Sequence, residues 1–298
     1  MDQSVIDLVI DFCDCYRRRD RCDSNSQTDP VRDMPEPLQR MPLWPRIEIL
    51  WFDIDDTFTS GGLISADAFS ALEAWRNSSR IAIAVTGRPA GWCDHIARMW
   101  PIDAVIGENG GFWFAYDRDS RKMERVSMQS DEEKEKSLRI FPELTVLIQQ
   151  RFPQSRIAAD QEYRICDLAI DFAEDVGPLP LREAHEIAAL MQSFGMSAKV
   201  SSIHVNGWFG QYDKLSTTLS LAKKRLGLSG KTLNQSSIYI GDSPNDSPMF
   251  RFFDRSIGVS NVNQYGDLLE ALPKYICAQP SARGFAEAVR FVLQGADP

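Results

Sequence analysis

Ile47-Glu-Ile-Leu-Trp-Phe52 runs directly into Asp53-Ile-Asp-Asp-Thr57. The first half is an apolar, β-rich run, and the second stops it abruptly with three acids and a threonine. A short apolar run bounded by polar residues reads as a strand buried on both faces. The pattern recurs. Ile81–Val85 ends in Thr86-Gly87-Arg88-Pro89, and Ser237–Ile240 ends in Gly241-Asp242-Ser-Pro-Asn245-Asp246. Helical patterns separate these runs. Ser65–Ser78 brings Ala68, Phe69, Leu72 and Trp75 to one face, and Ala90–Met99 leads into a strand, Ala104–Ile106, and the turn Gly107-Glu-Asn-Gly-Gly111. Alternating strand and helix at this spacing predicts an α/β fold with right-handed crossovers, a doubly wound parallel sheet.

Beyond residue 111 the rhythm changes. Phe112–Tyr116 and Met123–Met128 read as a hairpin, and a long helix over Asp131–Phe152 is expected to break near Pro142. Strands Arg156–Ala159, Leu168–Phe172, Ser197–Val200 and Ile203–Val205, with a helix over Pro180–Phe194, complete an α+β insertion. The first rhythm then returns with a helix over Lys214–Leu226, the strand ending at Ile240, strand Ser256–Val259 and helices at Pro248–Phe253, Tyr265–Ala271 and Gly284–Gln294. The expected organisation is a core over residues 46–110 and 207–298 and an inserted α/β cap over 111–206. Residues 1–45, with a short amphipathic piece (Val5–Tyr16) and five prolines, are expected to form a flexible N-terminal extension.

At 298 residues the chain has room for two domains. Its 43% hydrophobic and 25% charged residues suit a globular protein with a real core. A formal charge of −9 argues against nucleic acid as partner, since that needs a basic footprint, and the run Arg17-Arg18-Arg19-Asp20-Arg21 is short. Cys13, Cys15 and Cys22 lie together, but no histidine precedes His95 to complete a zinc site, so they read as free thiols. No apolar stretch approaches the roughly 20 residues of a membrane span, and acids at Asp2, Asp7 and Asp11 do not suit a secretory signal. A cytoplasmic protein with no membrane partner is expected.

In an open parallel sheet, ligands bind beyond the carboxyl ends of the strands. Three strand ends here carry Asp53, Asp55 and Thr57, then Thr86 and Arg88, then Asp242, Asn245 and Asp246. Carboxylates converging in one crevice repel one another unless a hard cation lies between them, and Mg²⁺ favours such oxygen ligands. A metal-bridged acidic site also suits a phosphate substrate, whose approach to aspartate the ion neutralises.

Asp53-Ile-Asp55-Asp-Thr57, Thr86, Lys214 and Gly241-Asp242-Ser-Pro-Asn245-Asp246 resemble, in order, the four motifs of the haloacid-dehalogenase (HAD) superfamily. The placement of the insertion resembles the α/β cap of its subfamily IIB, which includes Cof-type sugar phosphatases and the sucrose-phosphate and mannosyl-3-phosphoglycerate phosphatases. The resemblance implies that Asp53 attacks phosphorus and that Asp55 acts as general acid and base. It implies phosphate or substrate binding by Thr86, Gly87, Arg88, Asn109, Lys214 and Asn245. It implies a Mg²⁺ cofactor held by Asp53, Asp242 and the backbone carbonyl of Asp55, with Asp246 supporting the metal. Many relatives have glycine where this chain has Asp56.

The function implied is hydrolysis of a small phosphorylated metabolite, a sugar phosphate in the first instance, through an aspartyl-phosphate. A phosphomutase uses the same aspartate pair, and a non-catalytic binder would have no need of the nucleophile. In the insertion, Arg164, Asp167, His204 and Asn206 are candidate substrate contacts, and Trp208, Phe209 and Tyr212 read as a packed hinge. The sequence sets no oligomeric state.

Overall fold

In the computed structural model, which describes residues 34–43 and 46–295, strand Ile49–Phe52 lies at the middle of a nine-stranded sheet. Across the sheet the order is Glu36–Pro37, Tyr275–Ile276, Ser256–Gly258, Ser237–Gly241, Ile49–Phe52, Ile81–Val85, Ala104–Gly107, Phe112–Asp117 and Lys122–Ser127. Neighbours are parallel as far as Ala104–Gly107, after which the last two strands add an antiparallel hairpin. From Ile49–Phe52 the chain first builds outward on one side, then crosses to build the other side from Ser237–Gly241. The point where strand order reverses therefore lies between the strands that deliver Asp53 and Asp242.

The strand period of two explains why the central strands are apolar throughout. Leu50 and Phe52 face a core shared with Leu72, Trp75, Ile96, Phe285 and Val289, from helices Ala66–Asn77, Ala90–Met99 and Ser281–Gln294. Ile49 and Trp51 face a second core with Leu221, Leu233 and Phe250 on the opposite side. Helices thus cover both sheet faces, as a doubly wound sheet requires.

Residues 156–208 hold a separate antiparallel sheet in the order Ser197–Val200, His204–Trp208, Asp167–Asp171, Arg156–Ile157. With helices Asp131–Arg151 and Leu181–Ser193 it encloses its own core of Leu144, Ile148, Leu168, Ile170, Ile187, Met191 and Val205.

Several expectations need correction. The hairpin over Phe112–Ser127 extends the large sheet and does not belong to the inserted layer. Phe112 and Phe114 enter one core and Trp113 and Ala115 the other, so the run has two buried faces. The helix over Asp131–Arg151 continues through Pro142. Pro142 and Leu138 are both exposed, so water can take the Leu138 carbonyl that proline leaves unbonded. Residues 36–41 are packed, not a flexible extension: Glu36–Pro37 pairs with Tyr275–Ile276, and Leu38 and Met41 are buried. Proline fits there because an edge strand has a side that needs no N–H donor. Ser260–Leu268 forms 3₁₀ turns in place of the helix expected from Tyr265. Val5–Tyr16, the basic run and Cys13, Cys15 and Cys22 lie outside the described residues. Cys93, Cys166 and Cys277 are free and buried. No helix among the described residues is long and apolar enough to cross a membrane.

Candidate active site

Asp53 stands one residue past its strand, its N–H still bonded to the Ile240 carbonyl at 2.9 Å. The chain then folds back sharply. The Ile54 carbonyl accepts from the N–H groups of Phe58 and Thr59, each at 2.9 Å, and from the Thr59 hydroxyl at 3.1 Å. This turn needs a left-handed residue, supplied by Asp56 at φ 54°. Aspartate tolerates that region better than most side chains, which accounts for an acid at a glycine-type position.

Lys214 begins helix Lys214–Leu221, capped by Asp213 through a reciprocal pair with Ser216. Its buried Nζ donates to Asp53 Oδ1 at 2.7 Å and to Asp246 Oδ1 at 2.6 Å. Burial works against the ammonium, but Asp246 and Asp53 hold it charged, above the usual lysine value. Asp246 is fully engaged: Oδ1 also accepts from Tyr239 Oη at 2.5 Å, and Oδ2 from the N–H groups of Asp242 and Ser243. A Cβ at Gly241 would come within 2.5 Å of Asp246 Oδ2, so only glycine leaves room for this brace. Asp242 accepts from Thr57 Oγ1 at 3.1 Å and from Asn261 Nδ2 at 2.9 Å.

Ligand atoms of Asp53, Asp242 and Asp246 lie within 4.8 Å of one another, all buried. One ammonium facing three carboxylates leaves the cluster short of positive charge. Burial, together with Asp246 and Asp55, pushes Asp53 up to about 8 against the pull of Lys214. Burial and the charges of Asp53 and Asp246 likewise raise Asp242. Buried, acid-only and undercompensated, the donor set fits a hard divalent cation with oxygen ligands. Each Asp246 oxygen already accepts two hydrogen bonds, whereas each Asp242 oxygen accepts one and Asp53 accepts only from Lys214, so Asp53 and Asp242 keep the lone pairs suited to direct ligation.

The Asp55 carboxylate is not among the three clustered acids but lines the same space as Asp53. Arg88 grips it through Nε at 2.9 and 3.0 Å and Nη2 at 2.7 Å. The same guanidinium meets Glu174 Oε1 at 2.6 Å and lies 3.7 Å from Asp160 Oδ2, both in the inserted layer. His204 Nε2 lies 2.9 Å from the other Glu174 oxygen. Ser202, from the same layer, faces Asp56 and offsets part of the rise that burial imposes on that carboxyl. Between the layers is a small, partly open space of about 10 Å³, enough for roughly one water. Asp53, Asp55, Arg88 and Asn245 line it from the sheet, and Ser202, His204 and Asn206 from the inserted layer.

The expected residues thus gather at one place, with differences of position. Gly87 also lines the space and offers its carbonyl to Arg164 Nη1 at 2.9 Å. Thr86 is buried and accepts from the Arg88 N–H at 3.0 Å. Asn109 stands behind the loops: Asn245 Nδ2 donates to its Oδ1 at 3.1 Å, and its N–H bonds the Thr86 carbonyl. Arg164 and Asp167 pair with each other at 3.0 Å, Asn206 donates to Asp167 at 2.8 Å, and neither Arg164 nor Asp167 lines the space. Trp208 and Tyr212 stack at 5.7 Å between centroids, while Phe209 stacks on Phe141. Glu174, Ser202 and Asn261 carry no signal in the sequence pattern as read above. Asn261 follows the end of strand Ser256–Gly258, so the strand-end rule applied once more would find it.

No protein-family model matches the chain, and no curated protein matches it by sequence. Solved structures do match. A Thermoplasma acidophilum protein superposes with a TM-score of 0.63 at 18% identity, covering 83% of this chain and 98% of that one. A HAD/COF-like hydrolase from Plasmodium vivax gives 0.60 at 16% identity over 83% and 96%. The sucrose-phosphatase from Synechocystis gives 0.54 at 15% identity over 82% and 97%. The chain thus shares the fold of these three proteins.

Proposed function

We propose that the chain is a phosphohydrolase acting on a small phosphorylated metabolite through an aspartyl-phosphate on Asp53. The observation that carries this reading is a buried Asp53 beside Lys214, with a second carboxylate, Asp55, across the same small space. Lys214 holds Asp53 in one orientation and adds positive charge where a phosphoryl group would arrive. Attack by Asp53 on phosphorus divides one difficult displacement into two easier ones. Asp55 delivers a proton to the leaving oxygen and later takes one from water, a contribution of roughly 10²–10⁴-fold. Thr86 and Asn245 offer donors to the phosphoryl oxygens.

Asp53 and Asp242 would hold Mg²⁺, with Asp246 bracing them. The ion supplies charge neutralisation for the phosphoryl group. Ser202, His204 and Asn206 line the same space as Asp53, a polar lining that suits a hydroxylated leaving group, and some proteins of like fold are sugar phosphatases. A space of about 10 Å³ admits no sugar. The inserted layer must lift to load substrate and then exclude bulk water, as lids do.

The test is phosphate release from p-nitrophenyl phosphate and a panel of sugar and glycerate phosphates, with and without Mg²⁺. Wild type is expected to turn over only with the metal, and Asp53→Asn to lose turnover. Equal rates for the two proteins would sink the mechanism.

A further inference from the structure

We propose that Glu174 is a positioning residue that sets Arg88 on Asp55, so that the general acid is assembled only when the inserted layer is down. The proposal rests on the phosphohydrolase reading and adds a role to a residue that reading does not use.

Asp55 and Arg88 belong to the large sheet, Glu174 and His204 to the inserted layer. Arg88 is almost wholly buried, and its planar fork has fixed donor directions. Nε and Nη2 are spent on Asp55, and Nη2 is shared with Glu174 Oε1 at 2.6 Å. Trp92 stacks under the guanidinium at 4.4 Å and blocks one face. His204 Nε2 lies 2.9 Å from the other Glu174 oxygen. The chain Asp55–Arg88–Glu174 therefore crosses from one layer to the other.

When the layer lifts, Glu174 and His204 leave together, and Arg88 loses the partner that directs its Nη2. When the layer closes, Glu174 takes part of the guanidinium's attraction, so Arg88 orients Asp55 without monopolising its charge. Asp55 then points at the leaving oxygen only in the closed arrangement, where bulk water is excluded. Charge-assisted bonds of this kind are short and directional, which suits orientation more than raw affinity.

The role has a signature that simple loss of packing lacks. Proton delivery matters for an alkyl phosphate, whose alkoxide is a poor leaving group, and little for p-nitrophenyl phosphate, whose leaving group departs as a stable anion. The kcat/KM values report events up to enzyme phosphorylation, so the ratio between the two esters isolates the acid. Glu174→Ala in the full-length chain is expected to lower kcat/KM for glycerol phosphate about tenfold or more, and that for p-nitrophenyl phosphate less than about twofold. Glu174→Gln, which keeps one acceptor for Arg88, is expected to recover part of the loss. Equal losses on both esters, or none on either, overturn the proposal while leaving the phosphohydrolase reading intact. If Glu174→Ala does not fold, Glu174→Gln carries the same comparison. A wild type inactive on both esters overturns the two readings together.

Discussion

Asp53, Asp242 and Asp246 cluster around one lysine that bonds only Asp53 and Asp246, and that shortage of positive charge has a measurable consequence. Asp53 is raised to about 8 because burial and its acidic neighbours disfavour its ionised form. Without a cation, the stability that goes with the protonated group is full at low pH and is lost as pH rises through about 8. A divalent ion binds the ionised form, so its stabilising effect grows over the same range. At about 100 times its Kd, Mg²⁺ is expected to add about 2.7 kcal/mol, on the order of 5–10 °C in Tm for a protein of this size. Thermal melts with and without Mg²⁺ should show a larger gain near pH 9 than near pH 6. A gain independent of pH, or absent, contradicts a metal seat made of these acids. For single residues the sequence is informative where a polar side chain directly ends an apolar strand, as with Asp53, Thr86 and Asp242. It is silent on Glu174, one of two adjacent acids in a loop, because only the folding of the second layer brings it to Arg88.

The turn Glu108–Gly110 illustrates how an element imposes its own demands. Glu108 and Asn109 both adopt left-handed backbone, at φ 45° and 55°. The buried Glu108 carboxylate accepts from the N–H of Ala90, at the start of one helix, and from Ile165, Cys166 and Asp167 in the inserted layer. Burial and Asp167 push Glu108 up to about 8, against the pull of Arg164 and those N–H groups. Gly110, at φ 110°, lies so near the helix carrying Lys214 that an added Cβ would meet the Asp213 carbonyl oxygen at 2.2 Å. Gly110→Ala is therefore expected to cost roughly 2–5 kcal/mol through strain and overlap, and to reduce turnover by displacing Lys214. Gly177 has nothing within 4 Å of its Cβ position, and Gly177→Ala should stay within about 0.5 kcal/mol of wild type. Denaturant melts of the two variants decide this, and equal stabilities would refute it. The sequence marks this turn as a glycine-rich stop but not its contacts, most of which join residues far apart in the chain, as Glu108 and Cys166 are. Its prolines mislead: Pro37 sits in an edge strand and Pro142 inside an exposed helix face.

Across the molecule as a whole, the parallel sheet is legible because apolar runs alternate with helical patterns. The hairpin after Gly111 is not, since alternation along a strand does not name the sheet it joins, and it falls in the large sheet and not the inserted layer. What the assembled molecule achieves is to bring an acidic strand end, a lysine and a second layer over one small space. On the reading proposed above, that space makes a covalent aspartyl-phosphate at Asp53. Mass spectrometry of acid-quenched protein, after brief incubation with p-nitrophenyl phosphate and Mg²⁺, looks for that species itself. One phosphoryl group is expected on the peptide containing Asp53. It should accumulate further in Asp55→Asn, where water is no longer activated, and vanish in Asp53→Asn. A phosphoryl group on another residue, or full turnover by Asp53→Asn without one, would contradict the covalent mechanism.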